Sequence, residues 1–395
     1  MARTPVAAKF RRFLLSPYSA WRGPMSTDHK PPYRADHIGS LLRPQRLLDV
    51  RYSDDPGEKA RLKEIEDECI RGVISIQQEL GLKGITDGEF RRRSWRSSFD
   101  GTVEGLNHRP AQAVVNSSGQ IDMGSFVMDA SPFTDGRVKR VRGIVTEEFG
   151  FLAKVANGST KIALPAPSFL HFFRGADAIN RSVYPDLAMY FLDIAQVYIE
   201  EIKALEAMGA RYIQLDEVAI AMISDANVSA RMQKAGINPF EMIDLYLELL
   251  NTVIASKGPD TSIVVHFCRG NSNAQSGGSG SFEPLAERVF GQIKADGLLI
   301  EFDGEEKDFK PIRFVSGDKK VVLGMISTKT PVLEDANEIA RNIDRAAKFV
   351  PIERLCISPQ CGFSSRDTGT SLTMADQAAK LGLAVAVAQS VWGGV

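Results

Sequence analysis

The segment "TSIVVHFCRGN" ends a run of β-branched residues in His266 and Cys268. Residues two apart on an extended chain project to the same side, so this imidazole and this thiol face one way. Two more groups of related chemistry close other apolar runs: Glu301 ends "GLLIE", and Cys361 follows "ERLCIS". Two thiols, one imidazole and one carboxylate suit a four-coordinate zinc ion. Taken singly, each also reads as packing. An H-x-C at a strand end is commonly structural, Cys361 alone equally fits a buried thiol, and Asp303 points the same way as Glu301. Glu301 is preferred because it ends its apolar run directly. Cys356, within a run, and Cys69, within a helical pattern, are assigned to packing. Structural zinc knuckles take their cysteines from closely spaced pairs. Here the ligands come from three separate run ends, which suggests a catalytic site whose carboxylate yields to substrate.

Zinc held by two thiolates is electron-rich and a poor Lewis acid toward a carbonyl. It still binds an incoming thiol and lowers its pKa from roughly 8.5. The bound thiolate stays nucleophilic, which points to alkyl transfer onto a thiol. Carboxylates at other run ends, Glu89 and Asp216, suit a cationic group such as an α-ammonium, although "DEV" also reads as a solvated corner. Ser40 and the Gly39 backbone suit a substrate carboxylate. A homocysteine-like thiol fits this set.

The elements that must position these groups alternate along the chain. Apolar runs near 34–38, 84–88, 160–164, 211–215, 262–266, 297–301, 320–325 and 353–358 read as strands covered on both faces. Helical patterns fall between them. In "GINPFEMIDLYLELLNTVI", Asn238 is an N-cap, Pro239 suits the first helical position, and Glu241 has capping-box spacing. Met242, Leu245, Tyr246, Leu249, Leu250 and Val253 then form one apolar stripe. In "EDANEIARNIDRAAKFV", Ala336, Ile339, Ala340, Ile343, Ala346 and Ala347 line a face. The alternation predicts an α/β fold, a (β/α)8 TIM barrel with reactive groups at the C-terminal ends of its strands. Residues 91–159 read as an inserted loop with a hairpin between strands 2 and 3, over one end of the barrel. "RGNSNAQSGGSGSFEP" reads as a mobile flap. The alternative is an open doubly wound sheet, but no G-x-G-x-x-G follows the first strand, which argues against a dinucleotide version.

The whole chain sets the bounds. It has 395 residues, 44% hydrophobic and 25% charged, with a net charge of −1. That is ordinary globular composition and gives no case for a nucleic-acid or membrane partner. The four cysteines need no disulfide role in a chain this long, so a reducing, cytoplasmic compartment is expected. Residues 1–24 carry Arg3, Lys9, Arg11, Arg12 and Arg22 and no acid. They read as an upstream start before Met25, or else as an organelle transit peptide. They are set apart as an extension from a single catalytic domain over 25–395, for which a homo-oligomer is allowed.

The pieces "RADHIGSLLRP", "GITDGEFRRRSW", "YIQLDE", "HFCRGN", "LLIEFD", "VVLGMISTKTPVLED" and "SPQCGFSSR", in this order, resemble the cobalamin-independent methionine synthases. The likeness is to their C-terminal catalytic barrel, especially the short single-barrel members, and runs from about Arg34 onward. The resemblance implies zinc on His266, Cys268, Glu301 and Cys361. It implies homocysteine contacts from Ile38, Gly39, Ser40, Glu89 and Asp216. The implied reaction moves a methyl group from a methyltetrahydropteroyl-glutamate to the zinc-bound thiolate, an in-line displacement governed by positioning. Two departures stand out. The family's proton-supplying histidine is replaced by Lys329, which with Asp216 is the expected catalytic group. The family's pterin-contacting glutamate is replaced by Met222. The thiol half of the site is thus intact and the donor half altered. This leaves open a simpler methyl donor, another thiol of the coenzyme M type, or a zinc-free decarboxylase of the uroporphyrinogen type, which the ligand set opposes.

Overall fold

The computed structural model describes residues 30–109, 131–268, 271–272, 275–276, 281–302, 306–367 and 371–395. The extension 1–24, Asp303 and most of the flap therefore lie outside the described residues. Six apolar runs form one parallel sheet: β1 (Ile162–Pro165), β2 (Tyr212–Glu217), β3 (Ser262–Phe267), β4 (Gly297–Glu301), β5 (Lys320–Ile326) and β6 (Leu355–Pro359). They pair in chain order, β1 next to β2 and so on to β6. Nearly every residue in them is buried, as parallel strands covered on both faces require.

The two earliest runs do not become full strands. Ala35 makes a single parallel bridge to Ile357 of β6, and Ile85 makes one to Thr160 ahead of β1. The reason lies in their composition. Beyond the bridges, polar side chains in and around "ADH" and "TDG" tie these segments to the sheet and to each other. Lys161, fully buried, donates from Nζ to Asp36 Oδ1 at 2.9 Å and to the His37 carbonyl at 2.6 Å. Thr86 Oγ1 donates to the Gly39 carbonyl at 2.9 Å, and the Leu41 N–H donates to the Gly88 carbonyl at 3.0 Å.

Alternation along the strands separates two apolar clusters. One residue parity (Ile213, Leu215, Ile263, Val265, Leu298, Ile300, Val321, Leu323) joins the large core shared with the helices. The other parity gives a small separate cluster of Ile38, Tyr212, Val264, Leu299, Val322 and Cys356. Among the helices on the outer side, α1 (Leu62–Leu80), α2 (Leu187–Ala207), α3 (Pro239–Ile254), α4 (Ala336–Ala346) and α5 (Met374–Trp392) are the longest-patterned. Asn238 does cap α3, accepting from the Phe240 N–H, but its Nδ2 donates to Glu241, so the glutamate supports the cap side chain. The buried face of α3 is rotated from the expected stripe. Ile243 and Leu247 are buried, Met242 is half-buried, and Leu245 is 38% exposed. The face of α4 is buried at Ile339, Ala340, Ile343 and Ala346.

Residues Val103–Arg109 and Ser131–Arg140 pair as an antiparallel hairpin, followed by a helix at Thr146–Val155. The base of this region is tied to α2 through Glu201, which accepts from Arg140 and from the Ile144 and Val145 N–H groups. Asn271–Ser272 and Gln275–Ser276 also pair antiparallel, so the start of the glycine- and serine-rich stretch folds back on itself.

"FRRRSW" looks like a solvated charge run, but most of its charge is turned inward. Arg92, 2% exposed, makes a two-pronged pair with Glu148 (Nε–Oε2 2.9 Å, Nη2–Oε2 2.7 Å) and donates to the Ala163 carbonyl of β1 at 2.8 Å. Removing one partner of a buried ion pair leaves the other desolvated and unpaired. Glu148→Ala is expected to destabilise the fold by about 3–5 kcal/mol in urea unfolding; a loss below about 1 kcal/mol would show that Arg92 finds another acceptor.

Candidate metal centre

The sheet register brings the ligands together. Asp216 pairs with His266 across β2 and β3, His266 with Leu299 across β3 and β4, and Glu301 with Gly324 across β4 and β5. Cys268 follows β3, its N–H donating to the Glu217 carbonyl at 3.0 Å. Cys361 is placed by its neighbour Gln360. The Gln360 N–H donates to the Ile326 carbonyl at 2.8 Å, and its Nε2 donates to the Phe302 carbonyl at 2.9 Å. Gly324 permits this docking, since a Cβ there would stand 3.0 Å from Gln360 Cα.

One ligand atom from each of His266, Cys268, Glu301 and Cys361 lies within 4.8 Å of the others, and all four residues are buried. The two sulfurs are 3.5 Å apart. Two sulfurs on a tetrahedral zinc, each at about 2.3 Å, would be separated by about 3.8 Å. Neither ring nitrogen of His266 has a hydrogen-bond partner, although the side chain is 1% exposed. Burial, with Lys161 adding to it, pushes this imidazole down to about 3; the Leu299 carbonyl opposes the shift without reaching hydrogen-bond geometry. A neutral, buried ring with no partner is what a metal ligand offers. The residues present therefore fit a thiolate-rich zinc site.

Beside this cluster stand two carboxylates. Glu89 is a non-glycine residue with φ 60°, in the left-handed region. Its N–H donates to Asp87 Oδ1 at 2.9 Å, and its carbonyl accepts from Arg43 Nη2 at 2.9 Å. Such a conformation persists only when its surroundings fix it. Glu89 Oε1 is 3.6 Å from Arg92 Nη1, while Oε2 is buried without a partner. Burial raises the Glu89 carboxyl, opposed by Arg92 and Arg43. Asp216 is pushed up to about 8 by burial and then by Glu89, opposed by a hydrogen bond from Gln214. Two neighbouring carboxylates whose charge is disfavoured by burial would be favoured in their charged form by a cation beside them.

The turn Ile38-Gly39-Ser40 packs on both walls. A Cβ at Gly39, where φ is +128°, would lie 3.5 Å from Glu89 Oε1. The Ser40 carbonyl accepts from the Phe363 N–H at 3.0 Å, and a Cβ on Gly362 would fall 1.9 Å from Ser40 Oγ. The structure thus gathers Ile38, Gly39, Ser40, Glu89 and Asp216 around the four ligands. Lys329 lies in the loop after β5, half-buried, with its N–H on Ser327 Oγ at 3.2 Å. Met222 is buried in the short apolar helix Ala219–Ile223. Cys356 and Cys69 are buried away from the ligand set, as expected of packing thiols. The sequence reading passed over Arg43, Arg92, Gln214 and Gly362. The signal for Arg92 was a charge run directly after a reactive strand end.

Residues 43–390 match the family described as the cobalamin-independent synthase, catalytic domain. The chain belongs to that family. Among cobalamin-independent synthase relatives, YxjH of Bacillus subtilis, a protein of uncharacterized activity, is 33% identical over 368 residues, 92% of this chain and 96% of YxjH. A methionine synthase of Pyrococcus horikoshii is 24% identical, spanning 84% of this chain and 86% of its own. A solved structure from Listeria monocytogenes, described as a candidate vitamin-B12 independent methionine synthase, superposes with a TM-score of 0.72 at 30% identity, covering 93% of this chain and all of that one.

Purified protein is expected to carry about one zinc per chain by elemental analysis, as a closed four-ligand site requires. Cys361→Ser and His266→Ala should each lose most of it; wild-type zinc in both would refute the ligand set. Gly362→Ala should cost about 1–3 kcal/mol of unfolding free energy by overpacking against Ser40. The double variant Ser40→Ala/Gly362→Ala should recover part of that loss. Strict additivity would mean that the two residues do not press on each other.

Proposed function

We propose that this chain is a zinc-dependent methyltransferase that methylates the thiol of L-homocysteine to give L-methionine. Methyl transfer in methionine biosynthesis, on small-molecule substrates, is the chemistry of the family. The observation that carries the finer reading is the buried set His266, Cys268, Glu301 and Cys361 with an ammonium receptor, Glu89 and Asp216, beside it. Zinc on two thiolates, when bound, takes up a thiol and lowers its pKa, keeping it nucleophilic near neutral pH. The rest falls to the chain. Glu89 and Asp216 accept the substrate ammonium, which favours the charged form of each. Ser40 Oγ and the Gly39 backbone meet its carboxylate. Together they fix the sulfur for in-line attack on a methyl group, where orientation is the main catalytic resource. Lys329 stands in the loop after β5 as the group to deliver or hold a proton on the donor side. The small cluster of Ile38, Tyr212, Val264, Leu299, Val322 and Cys356 supports a closed (β/α)8 barrel, because one residue from each of β2 to β6 and one from the Ile38 turn pack on one another apart from the helix-covered core. A single domain over 25–395 in the cytoplasm is consistent with this reading, and no described helix is long and apolar enough to cross a membrane.

The donor is 5-methyltetrahydropteroyl-glutamate or a simpler methyl compound. The simpler donor gains weight from Met222, which is buried and apolar where a pterin-binding carboxylate is expected. A thiol without an ammonium, such as coenzyme M, would leave Glu89 and Asp216 with no substrate group to receive. A zinc-free decarboxylase would leave the paired thiols without a role.

The test is to supply zinc-loaded protein with homocysteine and, in parallel, methyltetrahydrofolate glutamates and a sulfonium methyl donor. Methionine should form from at least one, and Asp216→Asn should lower kcat/KM by about 10–100-fold, the worth of a hydrogen bond to a charged group. No methionine from any donor would sink the proposal.

A further inference from the structure

Gln214 lies on β2 two residues before Asp216, so the two side chains project to the same side of the strand. It is fully buried. Its Nε2 donates to Asp216 Oδ1 at 2.7 Å and to the Ile38 carbonyl at 2.7 Å. Both amide protons are therefore used. The reverse amide orientation would set Oε1 against a carboxylate and a carbonyl, so the acceptors dictate which way the group points. Oε1 itself is buried with no partner. A packing residue such as leucine or methionine would fill this space without stranding a buried oxygen. A glutamine here is explained by what its nitrogen does.

We propose that Gln214 is a positioning residue for the amino-acid end of the substrate: its amide spans from the Asp216 carboxylate to the Ile38 carbonyl and fixes the ammonium acceptor relative to the Ile38-Gly39-Ser40 turn. This inference rests on the homocysteine reading of the site. An α-amino acid presents its ammonium and carboxylate on one carbon, so the groups that receive them must keep a set spacing. Asp216 comes from β2, whereas the turn follows the Ala35 bridge to β6. Gln214 makes a single side-chain link between them. It does not touch the reacting sulfur, and it contributes through selectivity for thiols that carry an α-ammonium.

The test uses the zinc-loaded full chain and calorimetric titration with two thiols, L-homocysteine and 4-sulfanylbutanoate, which lacks the ammonium. Wild type should bind homocysteine the more tightly. In Gln214→Leu the Kd for homocysteine should rise about tenfold or more, the scale of one lost hydrogen bond to a charged group. The Kd for 4-sulfanylbutanoate should stay within about twofold, and zinc content should be unchanged. Gln214→Glu keeps the shape but has at most one O–H to donate, so it should fall between the two. It also decides the matter if the leucine variant does not fold: its preference for homocysteine must drop. Equal weakening of both thiols, or an unchanged preference in either folded variant, would overturn the inference. A wild type with no preference for homocysteine overturns the reading of the site itself, and this inference with it.

Discussion

A guanidinium group removed from water must find oxygen atoms inside the protein, and at the sheet mouth it finds backbone carbonyls. Arg43 Nη1 donates to the Ser364 carbonyl at 2.5 Å, and its Nη2 donates to the carbonyls of Glu89 and Arg92 at 2.9 and 3.2 Å. Burial pulls the Arg43 pKa down to about 10, so the group still carries its charge at neutral pH. Arg51 reaches the carbonyls of Phe90 and Arg92 together with the carboxylates of Glu66 and Asp367. These two side chains join three loops far apart in sequence, at residues 40–43, 87–92 and 361–367. Each loop carries part of the candidate site. The donors bond directly to the left-handed Glu89 and to Leu41 and Ser364, in the loops that carry Ser40 and Cys361.

The electrostatic layout follows from depth. A cation, Lys161, lies fully buried, paired with Asp36 and stacked over the Tyr212 ring at 4.8 Å. It favours negative charge on Asp216 and disfavours a charged His266. Around that level the sheet presents an acid-rich and thiol-rich rim. The proposed occupants, a divalent cation and an ammonium, would be favoured by this excess of negative groups, and the buried lysine offsets part of its self-repulsion.

Much of this was legible in the sequence. The six sheet strands lie where runs of Ile, Leu and Val are bounded by polar residues, because a strand covered on both faces has few other ways to be written. The four candidate ligand residues were visible because each ends or closely follows such a run. The first two runs were read too generously as strands. Beyond one short backbone bridge each, they are held by side-chain bonds involving Lys161 and Thr86, and no periodicity encodes a bond from a residue some 47 to 125 positions away. The rotation of α3, which exposes Leu245 and buries Leu247, depends on how neighbouring helices pack. Arg92 was missed for a related reason: a run of three basic residues looks the same whether water or buried oxygens receive it.

The ligand atoms sit close in space and far apart along the chain. Cys268 and Cys361 are separated by 93 positions, with three strands of the sheet laid down between them. During synthesis from the N-terminus, His266 and Cys268 leave the ribosome first, then Glu301, and the last thiol only after β6. A nascent chain can hold the ion by part of its coordination, but the complete centre becomes available only when the sheet has its final strand. Metal uptake would then act as a late checkpoint on a finished sheet, and the same ion would draw the folded state away from its unfolded alternatives by mass action.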